Sequence, residues 1–340
     1  MTVTHAAIEA GEAPSLAPLI DMLSADMAGV NATIIDRMAS EVPLIPQLAG
    51  HLIASGGKRM RPMMTVAGAM LGSEDAAVRA PAIKLATAVE FIHSATLLHD
   101  DVIDESKLRR GQDTANALWG NDASVLVGDF LFARAFELMV EAGDITVLGR
   151  LAAAAARITE GEIKQMAITG QPDTPVDDYF DVIGGKTAVL FSAAAAAGIE
   201  ITGAPAAHVE AMRVYGMELG MAFQIMDDAL DYTASAEQMG KNAGDDFADQ
   251  KITLPTILAW QDGDAEERAF WQRTLQQGDR QEGDLEKAVE LMNRHSALED
   301  TTSRARHYGA IATDALAIFP ESPYRDALTA LVEFCINRNH

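Results

Sequence analysis

The sequence is short of cysteine, of positive charge and of long apolar runs. Cys335 is the single cysteine among 340 residues, which excludes an intrachain disulfide framework and a cysteine-rich zinc site and fits a reducing, cytoplasmic location. Lys and Arg total 26 against 50 Asp and Glu, and the net charge of −24 argues against a nucleic-acid-binding protein, which needs a basic face. No uninterrupted apolar run reaches the ~18 residues that cross a bilayer, and the N-terminus lacks the features of a signal peptide. We therefore expect a soluble cytoplasmic protein.

Few helix-breaking residues interrupt the chain. Its composition is 49% hydrophobic with only 6% aromatic residues and 12 prolines, and it includes 16 methionines, so good helix formers dominate. Apolar residues recur at helical spacing, as at Leu85, Val89 and Ile92, and no series of alternating strands is apparent. Glycine- and proline-containing breaks, among them Gly184-Gly185, indicate loops that are too short for domain linkers. We predict a flexible N-terminus over residues 1–14 and one all-α domain, a helical bundle, over residues 15–340.

Two acidic motifs carry most of the chemical information. Asp100-Asp-x-x-Asp104 and Asp227-Asp-x-x-Asp231 each continue an apolar, helix-like segment. At about 100° per residue, positions i and i+4 lie about 40° apart, so the first and last aspartates of each motif share a helix face. Carboxylates this close raise one another's pKa unless a cation intervenes, and oxygen-only ligands suit Mg²⁺ completed by substrate phosphates. One motif alone is equally typical of a solvated helix end; two copies favour a metal site.

Local groups of cations accompany these motifs in an otherwise acidic chain. Lys58 and Arg61 precede an apolar helix in which Pro62 fits the first position, and backbone N–H groups there would help to bind an anion. Other candidates lie just after the first motif or in glycine-rich segments: Arg109, Arg110, Lys186, Lys241 and Lys251. Each cation alone is more typical of a solvated surface. Together with two metal-type motifs, they indicate a diphosphate bound to metal and to basic side chains.

The order and spacing of these motifs resemble those of trans-prenyl diphosphate synthases, the polyprenyl synthetase family. The resemblance rests on G-G-K-R-x-R-P, H-x-x-x-x-x-H-D-D-x-x-D, R-R-G, G-G-K-T, F-Q-x-x-D-D-x-x-D and G-K-N-x-G-D-D, between about Gly56 and Pro255. The segment around the first motif looks most like the long-chain branch, such as octaprenyl diphosphate synthases. The resemblance implies the isoprenoid synthase fold, an all-α bundle around a deep central cavity, usually in a homodimer.

The resemblance also implies a role for each matching residue. Mg²⁺ would be bound by Asp100, Asp104, Asp227 and Asp231, with support from Asp101 and Asp228. Isopentenyl diphosphate would be held by Lys58, Arg61, His93 and Arg110. The allylic diphosphate would face Arg109, Lys186, Gln224, Lys241 and Lys251, and the reacting allylic group would lie beside Thr187. The residues expected to act directly in catalysis are Asp100, Asp104, Lys186, Thr187, Gln224 and Asp227.

The implied reaction is Mg²⁺-dependent head-to-tail condensation of isopentenyl diphosphate onto an allylic diphosphate, repeated to a long all-trans product. We expect the octaprenyl to decaprenyl range, for the side chain of a quinone such as ubiquinone. Ala95 and Thr96 precede Asp100 by five and four residues, roughly 6–7.5 Å along the helix, and their small side chains would leave a product tunnel open. The tunnel floor is then expected deeper, at Phe136 or Met139. Ala95→Phe should shorten the product.

Three alternatives remain at this point. A shorter-chain synthase, making farnesyl or geranylgeranyl diphosphate, would use the same motifs. A class I terpene cyclase usually has Asn, Ser or Glu in its second metal motif and needs no isopentenyl site of the Lys58 and Arg61 type. A non-catalytic synthase subunit would be expected to lack one aspartate motif. The net charge argues against electrostatic docking on anionic lipid, although an oily product implies transient membrane contact at release.

Overall fold

The computed structural model describes residues 15–54, 57–109, 111–233 and 244–338, and these residues are mostly α-helical, which confirms the predicted fold class. The first helices are α1 (Ala17–Met22), α2 (Ser24–Arg37), α3 (Leu44–Ala54), α4 (Met60–Gly72), α5 (Ala76–Ile103), α6 (Ala115–Trp119), α7 (Asn121–Ala142) and α8 (Ile145–Ile168). The following helices are α9 (Val176–Ile183), α10 (Val189–Glu200), α11 (Ala206–Thr233), α12 (Asp245–Ala248), α13 (Leu254–Asp262), α14 (Ala265–Trp271), α15 (Asp284–Arg294), α16 (Ala297–Ala315) and α17 (Pro323–Asn337). A small antiparallel hairpin, β1 (Leu108–Arg109) with β2 (Gln112–Asp113), follows α5.

Three short described segments depart from α-helical geometry and extend neighbouring helices. Residues Gly184–Ala188 form a π-helical turn between α9 and α10, and Gln272–Gln276 form another after α14. Leu316–Ile318 is a 3₁₀ turn after α16. A π-turn inserts an extra residue into the helical register and often marks a functional site.

Local sequence explains where several helices begin. The Asp75 carboxylate accepts the backbone N–H of Ala77 at 2.9 Å and so caps α5, and Asp144 caps α8 in the same way. Helix α4 begins at Met60, after Arg59 with φ +49°, so Pro62 occupies the third helical position rather than the expected first. These caps satisfy backbone donors that the helix itself leaves without partners.

Helix α10 lies in the centre of the bundle and packs against α4, α5, α8 and α11. The alanine run Ala193–Ala197 is buried along its whole length. Glycines let the backbones approach: a Cβ on Gly198 would lie 2.0 Å from the Thr65 carbonyl oxygen, and one on Gly216 would lie 2.4 Å from that of Phe191. Small side chains therefore set the spacing between α10 and its neighbours.

Helix α9, the π-turn and α10 form one continuous run, Val176–Glu200, and this run is longer than any apolar stretch expected from the sequence. By length and composition alone it could cross a membrane, but 83% of its most apolar window is buried inside the protein. That burial is the placement of a core helix.

Two hydrophobic cores meet at the π-turn. The larger core surrounds α10 and includes α4, α5 and α7, whereas the second lies among α9, α11 and α13–α16. Helix α11 contributes to both: Leu219 belongs to the larger core and Ile225 to the second. The C-terminal end of α11 and the π-turn are therefore fixed from both sides.

Candidate functional site

The first aspartate motif occupies the last turn of α5. Asp100 lies inside the helix and Asp104 is the residue that ends it. Their side chains are 13% and 24% exposed. Negative charge at a helix C-terminus is unfavourable, so carboxylates placed there need nearby cations.

Asp100 lies in a crowded acidic environment with one ammonium close by. Lys186 Nζ is 3.8 Å from Asp100 Oδ2 and 2.8 Å from Glu162 Oε2. Burial raises the pKa of Asp100 to about 7; Lys186 opposes this shift, and the carboxylates of Glu162 and Asp104 add to it. A further cation at this position would be strongly favoured.

The middle aspartate of the first motif points elsewhere. Asp101 is 4% exposed and accepts two hydrogen bonds from the Arg109 guanidinium, at 2.9 and 2.7 Å. Asn116 Nδ2 donates to the backbone oxygen of Asp101 at 3.0 Å. The structure thus places Arg109, expected at the allylic diphosphate, against the supporting aspartate, where it anchors the turn after α5.

The second motif ends α11, and its outer aspartates have separate cationic or N–H partners. The Arg338 guanidinium lies 2.6 Å from Asp227 Oδ1. Asp231 is 9% exposed, and its Oδ2 accepts the backbone N–H of Asp246 at 3.0 Å. Arg338 also stacks 4.0 Å from the Phe223 ring centroid, so the end of the chain is packed against the second motif.

Asp228 is buried within a chain of hydrogen bonds. It accepts from the Tyr179 hydroxyl at 2.6 Å and from Gln224 Nε2 at 2.8 Å. The Thr187 hydroxyl donates to Gln224 Oε1 at 2.9 Å. Burial and then the Asp246 carboxylate raise the pKa of Asp228 well above its usual range, whereas the bonds from Tyr179 and Gln224 lower it.

The π-turn brings Lys186 and Thr187 to the site because three backbones approach closely around it. A Cβ on Gly161 of α8 would lie 2.5 Å from the backbone nitrogen of Lys186, and one on Gly220 of α11 would lie 2.5 Å from the Ala188 Cα. Helices α8 and α11 therefore clamp the turn through glycine. The G-G-K-T motif is a helical insertion, and the loop that the sequence analysis expected at Gly184 is absent.

Two lysines link the motifs. Lys186 contacts Asp100, and the next residue, Thr187, is bonded to Gln224 of α11. Lys251 Nζ lies 3.4 Å from Asp104 Oδ2, and its backbone N–H donates to the Asp246 carbonyl oxygen at 2.9 Å. Burial disfavours the charge on Lys251, but Asp104, Asp246 and Asp249 outweigh it and raise its pKa. The ends of α5 and α11 thus lie around a shared space.

A second basic group lies between α4, α5 and α10. Arg61 Nη1 is 3.2 Å from His93 Nε2, and the guanidinium lies 4.2 Å from the Phe191 ring centroid. Lys58 Nζ lies 4.6 Å from the ring centroid of Phe334 in α17. Three of the four residues expected to hold isopentenyl diphosphate therefore lie on neighbouring elements. Arg110 and Lys241 fall outside the described residues.

The donor set suits a hard divalent cation that is completed by a substrate. Within the described ranges no three His, Cys, Asp or Glu side chains approach closely enough to form a ready-made metal cage. Mg²⁺ is usually held by only one or two carboxylates plus phosphate oxygens and water, so paired aspartates fit it. The observation that supports this fit is the position of Asp100, which is only 13% exposed and lies near the carboxylates of Glu162 and Asp104.

The residues expected to set product length differ in orientation. Thr96 lies about 40° from Asp100 around α5, whereas Ala95 lies about 140° away. Ala95 is 0% exposed in the larger core, and Thr96 is partly exposed. Of the two floor candidates on α7, Met139 is 1% exposed and Phe136 is 42% exposed.

Three residues of the site were not found from the sequence: Glu162, Tyr179 and Arg338. Glu162 lies one position after Gly161, which marks the close contact of α8 with the π-turn. Tyr179 lies eight positions before Thr187 with no motif of its own, and Arg338 follows the last helix. The signal in the sequence was the rarity of basic residues, which could have drawn attention to Arg338 as a functional residue.

Comparison with known proteins gives matches over most of the chain. A family profile described as polyprenyl synthetase matches residues 42–292. The chain is 42% identical to octaprenyl diphosphate synthase of Escherichia coli (strain K12) over 326 residues, which cover 96% of this chain and 99% of that protein.

Two solved structures are similar across nearly the whole fold. A polyprenyl synthase from Caulobacter crescentus CB15, complexed with calcium and isoprenyl diphosphate, is 48% identical with a TM-score of 0.92, covering 97% of this chain and 100% of that one. A decaprenyl diphosphate synthase from Rhodobacter capsulatus is 49% identical with a TM-score of 0.91, covering 96% and 100%.

Proposed function

Because the chain belongs to the polyprenyl synthetase family and is a prenyltransferase, we propose that it is a Mg²⁺-dependent, long-chain all-trans polyprenyl diphosphate synthase. It would add isopentenyl diphosphate repeatedly to an allylic diphosphate, to octaprenyl or decaprenyl length, for a quinone side chain. The observation that carries this proposal is that the two lysines on the first motif adjoin residues bonded to α11. Lys186 contacts Asp100 and precedes Thr187, which bonds to Gln224. Lys251 contacts Asp104 and bonds to Asp246, which in turn bonds to Asp231. Similarity to octaprenyl and decaprenyl synthases supports the long product.

The metal-binding groups come from two helix ends. Asp100 and Asp104 of α5, with Asp227 and Asp231 of α11, would hold Mg²⁺, which when bound would stabilise negative charge on the departing diphosphate. Lys186 and Lys251 lie 3.8 and 3.4 Å from Asp100 and Asp104 in this structure, so they are placed to turn toward diphosphate oxygens. Arg338 is placed similarly beside Asp227.

The remaining residues orient the organic parts of the substrates. Lys58, Arg61 and His93 would hold the diphosphate of isopentenyl diphosphate, so that its double bond meets the allylic carbon in a fixed geometry. The Thr187 oxygen and the Gln224 amide would stabilise positive charge on the allylic group by their dipoles. The apolar walls of α5, α7 and α10 would keep water from that charge. The departing diphosphate would accept the final proton.

Product length is proposed to depend on α5 below the first motif. Thr96 shares the face of Asp100 and is small, so Thr96→Phe should shorten the product with little cost to folding. Ala95→Phe, the original expectation, should shorten it as well, but insertion of an aromatic ring at a fully buried alanine should cost about 1–3 kcal/mol. Unchanged product ladders for both variants would reject this placement.

The direct test incubates the purified chain with Mg²⁺, isopentenyl diphosphate and a set of allylic primers, and separates the products by chain length. A linear octaprenyl to decaprenyl series is expected. A farnesyl or geranylgeranyl end point would indicate the shorter-chain alternative, cyclic hydrocarbons a cyclase, and no turnover a non-catalytic subunit. Asp100→Asn should abolish turnover, whereas Asp36→Asn, at a side chain that is 80% exposed, should not.

A homodimer is proposed from exposed apolar side chains on α7 and α8. Leu126 and Val140 on α7 are 66% and 65% exposed, and Ile163 and Met166 on α8 are 62% and 60% exposed. Large exposed apolar side chains grouped on neighbouring helices are typical of a subunit interface. Sedimentation equilibrium should give twice the chain mass; Leu126→Glu should shift it to the monomer.

We also propose that the enzyme works in the cytoplasm and touches a membrane only transiently. The most apolar described helix is buried inside the protein and so is not placed to act as a membrane anchor. The apolar tail of the product is the part that would enter a bilayer. Product release should therefore become faster when vesicles or detergent are added.

A further inference from the structure

Tyr179 belongs to the site although no motif includes it. It is 2% exposed on α9, and its hydroxyl donates to Asp228 Oδ2 at 2.6 Å. The Asp228 carboxylate binds Gln224, four residues earlier on α11, and Gln224 binds Thr187 on the π-turn. Tyr179 and Thr187 lie in one continuous helical run, so α9 and the π-turn are joined to α11 at two points one helical turn apart.

The chemistry of the side chains determines which group donates and which accepts in each hydrogen bond between Tyr179 and Thr187. Burial and the neighbouring Asp228 raise the pKa of Tyr179 well above its usual value, so the phenol keeps its proton and donates. The Gln224 amide turns its NH₂ group toward Asp228, with Nε2 donating to Oδ1 at 2.8 Å, and its oxygen toward Thr187. Thr187 then donates its single hydroxyl proton to Gln224, and its oxygen lone pairs remain for another group.

The direction of the Thr187 hydrogen bond matters for the chemistry proposed above. Oxygen lone pairs stabilise developing positive charge on an allylic carbon, whereas an O–H pointed at that carbon would oppose it. Without the Tyr179 hydroxyl, one oxygen of Asp228 would lose its donor and the carboxylate could rotate, which would loosen the Gln224 amide. The arrangement would then no longer be held in one orientation.

We propose that Tyr179 is a positioning residue that, through Asp228 and Gln224, holds the Thr187 hydroxyl with its lone pairs toward the allylic group. The inference rests on the proposed role of Thr187 beside the allylic carbon and extends it to a residue that never touches substrate. Support from an outer residue of this kind commonly changes activity by about 10–100-fold.

The test compares two tyrosine-to-phenylalanine variants. Tyr179→Phe should lower kcat about 10-fold to 100-fold in steady-state assays, with the KM for isopentenyl diphosphate changed less than about 2-fold. Tyr215→Phe is the matched control: this tyrosine is also fully buried, but its hydroxyl donates to the Leu328 carbonyl oxygen, so kcat should be unchanged. Equal kcat values for the two variants would overturn the inference.

A double-mutant cycle separates positioning from general structural support. Thr187→Val should remove the oxygen and Thr187→Ser should retain it. If Tyr179 acts through Thr187, Tyr179→Phe should cost little more in the Thr187→Val background, and the full loss should return with Thr187→Ser. Additive losses in the Thr187→Val background would refute the inference.

Two further results keep the inference distinct from the proposed function. A wild-type chain that makes no polyprenyl product refutes the proposed function itself, whereas an active wild type with an equally active Tyr179→Phe refutes only the role of Tyr179. If Tyr179→Phe does not fold, the same cycle is run with Gln224→Met and Thr187→Val. Coupled losses support the hydrogen-bonded chain, and additive losses overturn it.

Discussion

Two glycines on α8 should respond to alanine in opposite directions. A Cβ on Gly161 would lie 2.5 Å from the Lys186 backbone nitrogen, and the two backbones must part by about 0.9 Å to restore a 3.4 Å contact. A Cβ on Gly149 of the same helix meets nothing within 4 Å. Overpacking at Gly161 should cost about 1–3 kcal/mol, whereas Gly149→Ala should add about 0.5–1 kcal/mol through helix propensity.

The activity of the two variants should also separate. Displacement of the π-turn by close to 1 Å moves Lys186 and Thr187 together, and misplacement on this scale costs up to about 10²-fold in rate. Steady-state kcat and the urea midpoint should both fall for Gly161→Ala, and kcat should be unchanged for Gly149→Ala. A Gly161→Ala protein with wild-type stability and kcat would refute the argument that glycine is needed for this close approach.

Two other predictions concern charge. Arg338→Gln removes a guanidinium that competes with metal for Asp227, so the Mg²⁺ concentration at half-maximal activity should fall several-fold; an unchanged or higher value in a Mg²⁺ titration would contradict this. Hydrogen bonds from Arg37 and then Lys84 lower the pKa of Glu141 from 4.5 to about 2, so the stability that it contributes is present above about pH 4.5 and is lost as the pH falls toward 2. Because Glu141 is 37% exposed, Glu141→Gln should cost no more than about 1 kcal/mol at pH 7 and almost nothing near pH 2, as measured by urea unfolding at both pH values.

The sequence predicted the parts of the site that depend on local helical spacing. An i, i+4 pattern on an apolar helix is enough to place Asp100 with Asp104, because rotation per residue is nearly constant. The same spacing argument predicted less about the residues that set product length. Ala95 and Thr96 are adjacent in sequence, and the sequence analysis gave both the same role, yet only Thr96 shares the face of Asp100.

Partners distant in sequence were not predictable in this way. Nothing local to Arg338 indicates that it will reach Asp227, and nothing local to Tyr179 indicates Asp228, because both contacts depend on how whole helices pack. The G-G-K-T motif indicated a loop, since paired glycines usually break helices. Here Gly185 instead packs against α8, where a Cβ on it would lie 3.3 Å from the Arg157 carbonyl oxygen, and only the packed structure reveals this contact.

The π-turn lies in the middle of a continuous helical run. The direction of each of its side chains therefore depends on helical register and not on the length of a loop. Removal of one residue from Gly184–Ala188 would let ordinary α-helical bonding resume, yet every side chain beyond the deletion would rotate by about 100°. Insertions and deletions, the usual means of reshaping enzyme loops, are therefore unsuited to this site. New specificity would have to come from exchanging side chains along helices whose backbones stay fixed.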